Sequence, residues 1–293
     1  MATIARIVVT ESGITNNRQL FEDFIAESKQ LLTENKKHQF VLLPAGFLTF
    51  FSNDLTHIPL SEPHERTEKQ RWNADIEILK EQALEEFYRS FDSKLLQELK
   101  SVANHLVIGI DSGGKRLQFV LTYDLQNETP LHWTGKTFPQ KKEKDFVIRM
   151  PIDTHFIKEK IDGKKIAVFG CHDLSIFNPR HQKHFSPFDD ERRNAKRKEN
   201  TETGKIKCPF IDATLDFSPD IMLQLPHTES TWAAKWTKLN KWLRRKKGKE
   251  LQHFATGLQR CPKKQYSLSG TQRGDVMNFA DGKWIDISNN RSR

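Results

Sequence analysis

The chain has 293 residues, 47 Lys and Arg against 38 Asp and Glu, a net charge of +9 and 20 phenylalanines. A hydrophobic share of 36% supplies material for a packed core, which excludes general disorder. No apolar run approaches the roughly 18 residues that a membrane span needs, and Cys171, Cys208 and Cys261, widely spaced and without a CxxC pair, exclude a disulfide framework or a zinc ribbon. A soluble, cytoplasmic protein in a reducing compartment is expected, with no membrane partner.

Taken in order, Ile4 to Val9 reads as a strand and Arg18 to Lys36 as a helix, with Leu20, Phe21, Phe24, Ile25, Ser28, Leu31 and Leu32 on one face. Phe40 to Leu43 is a buried strand that ends at Pro44, Ala45 and Gly46. Glu65 to Ala103 carries Trp72, Ile76, Leu79, Ala83 and Phe87 at helical spacing, enough for one or two helices. Leu106 to Ile110 and Leu117 to Tyr123 read as a hairpin whose turn contains Asp111, Ser112, Gly113 and Gly114. Ile166 to Gly170 and Ile221 to Leu225 are further strands, and Asp275 to Ile287 forms a closing hairpin around Asp281 and Gly282. Strands alternating with helices imply a layered α/β domain. About 150 residues per domain would allow two, but a single domain over residues 1–293 is the reading adopted.

Two segments break the rhythm. Residues 178–217 read as a charged, partly flexible insertion, almost free of apolar residues between about 189 and 205. From Lys235 to Lys264, Trp232, Trp236, Leu239 and Leu243 mark an inward helical face, and Lys238, Lys241, Arg244, Arg245, Lys246, Lys247 and Lys249 form the densest positive patch.

Cys171 follows the strand Ile166 to Gly170. Open α/β sheets expose reactive groups where a strand ends and its loop begins, which makes this thiol a candidate nucleophile; a small buried hydrophobe is the other reading. His172, His181, His184 and Cys208 have zinc-ligand chemistry but loop-like surroundings and no second close pair, so no metal is expected. Gly109 to Gly114 lacks the Gly-Lys-Ser/Thr ending of a phosphate loop, and no cofactor is expected.

Gly-Cys-His-Asp-Leu-Ser-Ile-Phe-Asn-Pro, from Gly170, resembles the nucleophile motif of the nitrilase superfamily of carbon-nitrogen hydrolases. Four further segments resemble the family in order: Phe40 to Leu48 at the first catalytic strand, His132 to Pro139 at the lysine segment, Ser218 to His227 after the nucleophile, and Ser269 to Lys283 at the closing hairpin. The resemblance implies an αββα sandwich, homodimers or larger complexes, and a small amide or nitrile substrate. It implies that Cys171 attacks the substrate carbon, that Lys136 stabilises the developing negative charge, and that a glutamate serves as base. A free thiol, with its pKa near 8.5, is only a few per cent ionised at neutral pH, so the base matters.

The glutamate's place is taken by Ala45. Losing a positioned base costs about 10² to 10⁴ in rate, so the leading expectation is a weakly active or inactive binding or assembly module. Three ways around the loss stay open: Glu143 takes the role, His172 pairs with the thiol, or Ala45 is itself a substitution that traps substrate. An active thiol amidase with a rearranged base is thus the rival. Nucleic-acid binding through Lys241, Arg244, Arg245, Lys246, Lys247 and Lys249, with Arg192 to Lys198, is a third reading. Nitrilase-like modules that accompany reverse transcriptases in bacterial defence systems provide a precedent by analogy.

Overall fold

A computed structural model describes residues 4–9, 11–32, 36–51, 68–113, 117–137, 149–170, 173, 202–227, 252–255, 276–280 and 282–285. Strand β1 (Ile4–Ile7) is buried along its whole length because strands flank it on both sides. Fully covered parallel strands read as continuous apolar runs, and this one is broken only by Arg6. Helix α1 (Ile14–Leu31) begins four residues earlier than the apolar spacing predicts and buries Ile14, Phe21, Phe24, Ile25 and Ser28. Then come β2 (His38–Leu42), the short β3 (Leu48–Phe50) and α2 (Glu68–Ser90), which buries Ile76, Leu79, Ala83 and Phe87 as the helical period requires. Asp92 accepts the Leu95 amide N–H at 2.8 Å and starts α3 (Ser93–Val102), which divides the predicted helical stretch in two.

The next three strands are antiparallel neighbours: β4 (Ala103–Ser112), β5 (Gln118–Asp124) and β6 (Thr129–Gly135). β4 runs through Asp111 and Ser112, which the sequence reading placed in a turn. They remain extended because β3 pairs with Ile110 through Ser112 on one side and Gln118 on β5 faces Asp111 on the other.

 The pairing thus spans the whole of Ile110 to Ser112. β6 is the strand the periodicity did not announce. It is a half-exposed edge containing Pro130, where no two-residue alternation survives.

Strand β7 (Ile166–Phe169) precedes α4 (Glu202–Phe217), β8 (Ile221–Gln224) and β9 (Gln252–Ala255), and β10 (Val276–Ala280) with β11 (Lys283–Ile285) closes the chain as the predicted hairpin. The described part of the segment expected as an insertion over 178–217 is therefore helical from Glu202 and packs on the fold through Phe210. β9 lies within the stretch read as basic and helical; the residues of that stretch before 252 are outside the described set.

Two sheets result. The larger has the order β11-β10-β1-β2-β4-β5-β6, with β3 on β4, and the smaller is β7-β8-β9, all parallel. One face of the larger sheet carries Val41, Leu106, Ile108 and Leu121 against Phe21, Phe24, Leu79, Phe87, Leu95 and Leu99 of the first three helices. The other face carries Phe40, Leu42, Val107 and Val120 against Ile166, Val168, Ile221 and Leu223 of the smaller sheet. On the far side of the smaller sheet, Phe169 meets Phe210 of α4 at 5.4 Å between ring centroids. The layers run helix, sheet, sheet, helix, as the αββα expectation requires.

Candidate active site

The carboxyl ends of β2, β4, β6, β7 and β8 converge. In α/β sheets this is where functional groups gather, because each strand hands its chain to a loop at that end.

After β2 the chain leaves the ladder over Pro44 to Phe47 and pairs again as β3. Leu43 donates its N–H to the Val107 carbonyl at 2.9 Å, and Gly109 donates to the Pro44 carbonyl at 3.2 Å. A Cβ on Gly109 would stand 2.2 Å from the Ala45 Cα, so backbone rests on backbone and only glycine fits. Ala45 is 2% exposed and belongs to the core between the sheets. Its methyl can neither take up a proton nor hold a water.

Lys136 follows β6. Its N–H donates to the Gln118 carbonyl at 3.0 Å, its own carbonyl accepts from Met150 at 3.0 Å, and its side chain is buried. Thr137 is tied to the smaller sheet by Asp173, which accepts the Thr137 N–H at 2.9 Å with Oδ1 and the Gly170 N–H at 3.1 Å with Oδ2. A Cβ at Gly170 would lie 2.9 Å from the Gly135 carbonyl carbon, so these two strand ends touch with no side chain between them. Cys171 and His172 lie outside the described residues, but the residues that bracket them, Gly170 and Asp173, are both anchored to the chain next to Lys136.

His155 braces this junction from beneath. Its Nδ1 lies 2.8 Å from the Val168 carbonyl, and its Nε2 lies 2.7 Å from the Thr137 hydroxyl. Complete burial pushes the imidazole pKa down from 6.5 to about 4, so the ring is neutral at neutral pH, and the 3.8 Å approach of Nε2 to Asp173 is not an ion pair there.

On the β2 side, His227 after β8 reaches across to β4, with Nε2 2.6 Å from Asp111 Oδ2. Gly46, at φ +66°, packs under this pair: a Cβ there would be 3.1 Å from His227 Cδ2 and 3.2 Å from Asp111 Oδ2. The pair therefore stands one residue from Ala45.

Among the predicted site residues, Ala45 and Lys136 are at these strand ends. Glu143, the alternative base, and Lys241, Arg244, Arg245, Lys246, Lys247 and Lys249 of the basic patch lie outside the described residues, as do His181 and His184. Among the described residues no group of three or more His, Cys, Asp or Glu could hold a metal ion, and no helix is long and apolar enough to cross a membrane. The sequence reading gave no role to Asp111, Gln118, Thr137, His155, Asp173 or His227. Asp173 and His227 do lie inside motif segments already singled out, so position was the available signal; for His155 there was none.

The site is thus that of a layered α/β domain with a buried lysine and a paired aspartate and histidine where its strands end. No protein-family model matches the chain, and no curated protein matches it. Its structure is similar to the NitN amidase from Nesterenkonia sp. AN1, with a TM-score of 0.49 at 12% identity over 92% of this chain and 82% of that one. A cysteine-to-alanine mutant of the Nesterenkonia AN1 amidase from the nitrilase superfamily gives a TM-score of 0.49 at 12% identity, over 92% and 79%. For the glutamine-dependent NAD+ synthetase from Acinetobacter baumannii, in complex with ADP, the TM-score is 0.45 at 11% identity, over 97% of this chain and 42% of that one.

Proposed function

We propose that the chain is a carbon-nitrogen hydrolase-like domain that binds a small substrate-like molecule and has lost ordinary turnover, acting as a binding or assembly module. The observation that carries this reading is the asymmetry of the strand ends. Lys136 is buried, and Thr137 next to it is tied through Asp173 to Gly170, whereas the base position that the resemblance implies holds the buried methyl of Ala45. A charge stabiliser whose base position holds a methyl binds better than it reacts, because removing the positioned base costs about 10² to 10⁴ in rate.

Intact-mass spectrometry after exposure to small amides tests this. The expected result is no acyl adduct that accumulates and turns over; a time-dependent adduct that is lost in Cys171→Ala would overturn it. One observation favours the active alternative: the 2.6 Å pair of Asp111 and His227 beside Gly46 puts a proton acceptor near the vacated position. In that case the adduct should form in the wild type and fade in His227→Gln.

A further inference from the structure

Three strands line up three polar residues. Asp111 on β4 is directly opposite Gln118 on β5, and Lys136, one residue past the Phe119 to Gly135 pairing, ends the row beyond Gln118. Asp111 and Gln118 point between the sheets, because Val107 and Val120, four and two residues away on the same strands, line that inner core. Residues opposite one another on adjacent strands have Cβ atoms about 5 Å apart, so a single group can reach both.

Both side chains are buried with an oxygen to spare. Asp111 and Gln118 are 3% and 4% exposed, and neither Asp111 Oδ1 nor Gln118 Oε1 has a hydrogen-bond partner among the described residues. Buried polar atoms are almost always satisfied, and an orphan acceptor costs stability unless a donor fills it. His227 already holds Asp111 Oδ2 at 2.6 Å, which leaves Oδ1 as the unused oxygen of the carboxylate.

We propose that Asp111 and Gln118 bind a primary ammonium group. The site uses neither Cys171 nor Lys136, so it goes beyond the reading above. Three features select this ligand. The single carboxylate supplies one negative charge, which a monovalent cation neutralises. A hard metal ion asks for about six oxygens, whereas the pair offers two; an ammonium group makes its contacts through its N–H bonds and is served by two or three acceptors. A guanidinium grips both oxygens of a carboxylate as a fork, and His227 occupies one of them. Lys136 has a partner of its own, and its backbone lies two strand spacings, about 10 Å, from that of Asp111. Coulomb energy falls with distance, so attraction to Oδ1 at about 3 Å outweighs repulsion over about 10 Å roughly threefold.

Calorimetric titration of the full-length protein at neutral pH and constant ionic strength tests this, with n-butylammonium, n-butanol and tetramethylammonium as probes. The alcohol keeps the shape without the charge, and tetramethylammonium keeps the charge without an N–H. Butylammonium should bind at least about tenfold more tightly than either. Ammonium chloride separates the sources: affinity equal to that of butylammonium assigns the site to the free ion, and lower affinity assigns it to an amine. Gln118→Glu makes the second acceptor charged and should tighten butylammonium binding about tenfold while lowering the denaturation midpoint of the ligand-free protein, a combination that a purely structural glutamine does not produce. Gln118→Met, near-isosteric and without the orphan oxygen, should loosen binding about tenfold with that midpoint unchanged or raised. If Gln118 instead turns its N–H2 onto Asp111 Oδ1 and closes the pair internally, butylammonium does not bind and Gln118→Met lowers the midpoint. That result, equal binding of the three probes, or unchanged affinity in both Gln118 variants overturns the inference; the carbon-nitrogen hydrolase-like reading is decided separately, by the mass-spectrometric test.

Discussion

Asp173→Asn probes the junction on which the site depends. The carboxylate accepts two buried backbone N–H groups, from Thr137 on one sheet and Gly170 on the other. An asparagine supplies one oxygen and turns its N–H2 toward the second donor. One buried N–H is then unsatisfied, at about 1–3 kcal/mol, and the surviving bond loses its charge assistance, about 1 kcal/mol more. Relief of carboxylate desolvation offsets part of this, and about 2–3 kcal/mol of destabilisation is expected. Urea denaturation followed by circular dichroism measures it. Because the lost bonds hold Gly170 against Thr137, alkylation of Cys171 by iodoacetamide, read by peptide mass spectrometry, should accelerate relative to Cys208 and Cys261, by up to about tenfold for each 1.4 kcal/mol lost locally. Stability within about 0.5 kcal/mol of wild type with unchanged alkylation would refute the claim that Asp173 ties the sheets together.

Acid should weaken the fold through His155, whose pKa is held down to about 4 in the folded protein against an ordinary 6.5. A depressed histidine pKa gives stability that is complete above about 6.5 and lost as the pH falls toward 4, in total roughly 3 kcal/mol; denaturation midpoints between pH 7 and 4 should fall less steeply in His155→Gln, and parallel slopes would count against this. His38 and His132, also lowered to about 4 by burial, act in the same direction. Gly109→Ala should cost several kcal/mol, because its methyl would stand 2.2 Å from the Ala45 Cα and 2.6 Å from the Pro44 oxygen; a variant as stable as wild type would show that this turn yields freely. Ala45→Glu restores the missing carboxyl and should raise amide turnover by about 10² or more if the protein still folds, measured as ammonia release with Ala45→Gln as the matched-size control; equal rates in the two variants would remove the missing base as the cause. Nucleic-acid contact by Lys241 to Lys249 predicts filter binding that weakens steeply with salt, and flat or absent binding removes it.

Local pattern alone marked most of the layers. Apolar spacing identified α1 and α2, short apolar runs identified β1, β2, β7 and β8, and the end of β7 marked Cys171 as a position to watch, whereas Lys136 and Ala45 were singled out only by the resemblance of their segments to a family. Such features depend on neighbours within a few residues, which periodicity can read. β6, β3 and the role of Asp111 were not legible, because an edge strand or a chain returning to its ladder is defined by pairing partners rather than by its own alternation. His227 and Asp111 are 116 residues apart, and only the stacking of the two sheets brings them together. The row from Asp111 through Gln118 to Lys136 likewise exists only in the register of three strands, and whether its buried oxygens have partners is a property of the packed molecule. Composition and spacing name the groups a chain carries; close packing decides which of them face one another away from water, and there an unpaired acceptor acquires its energetic weight.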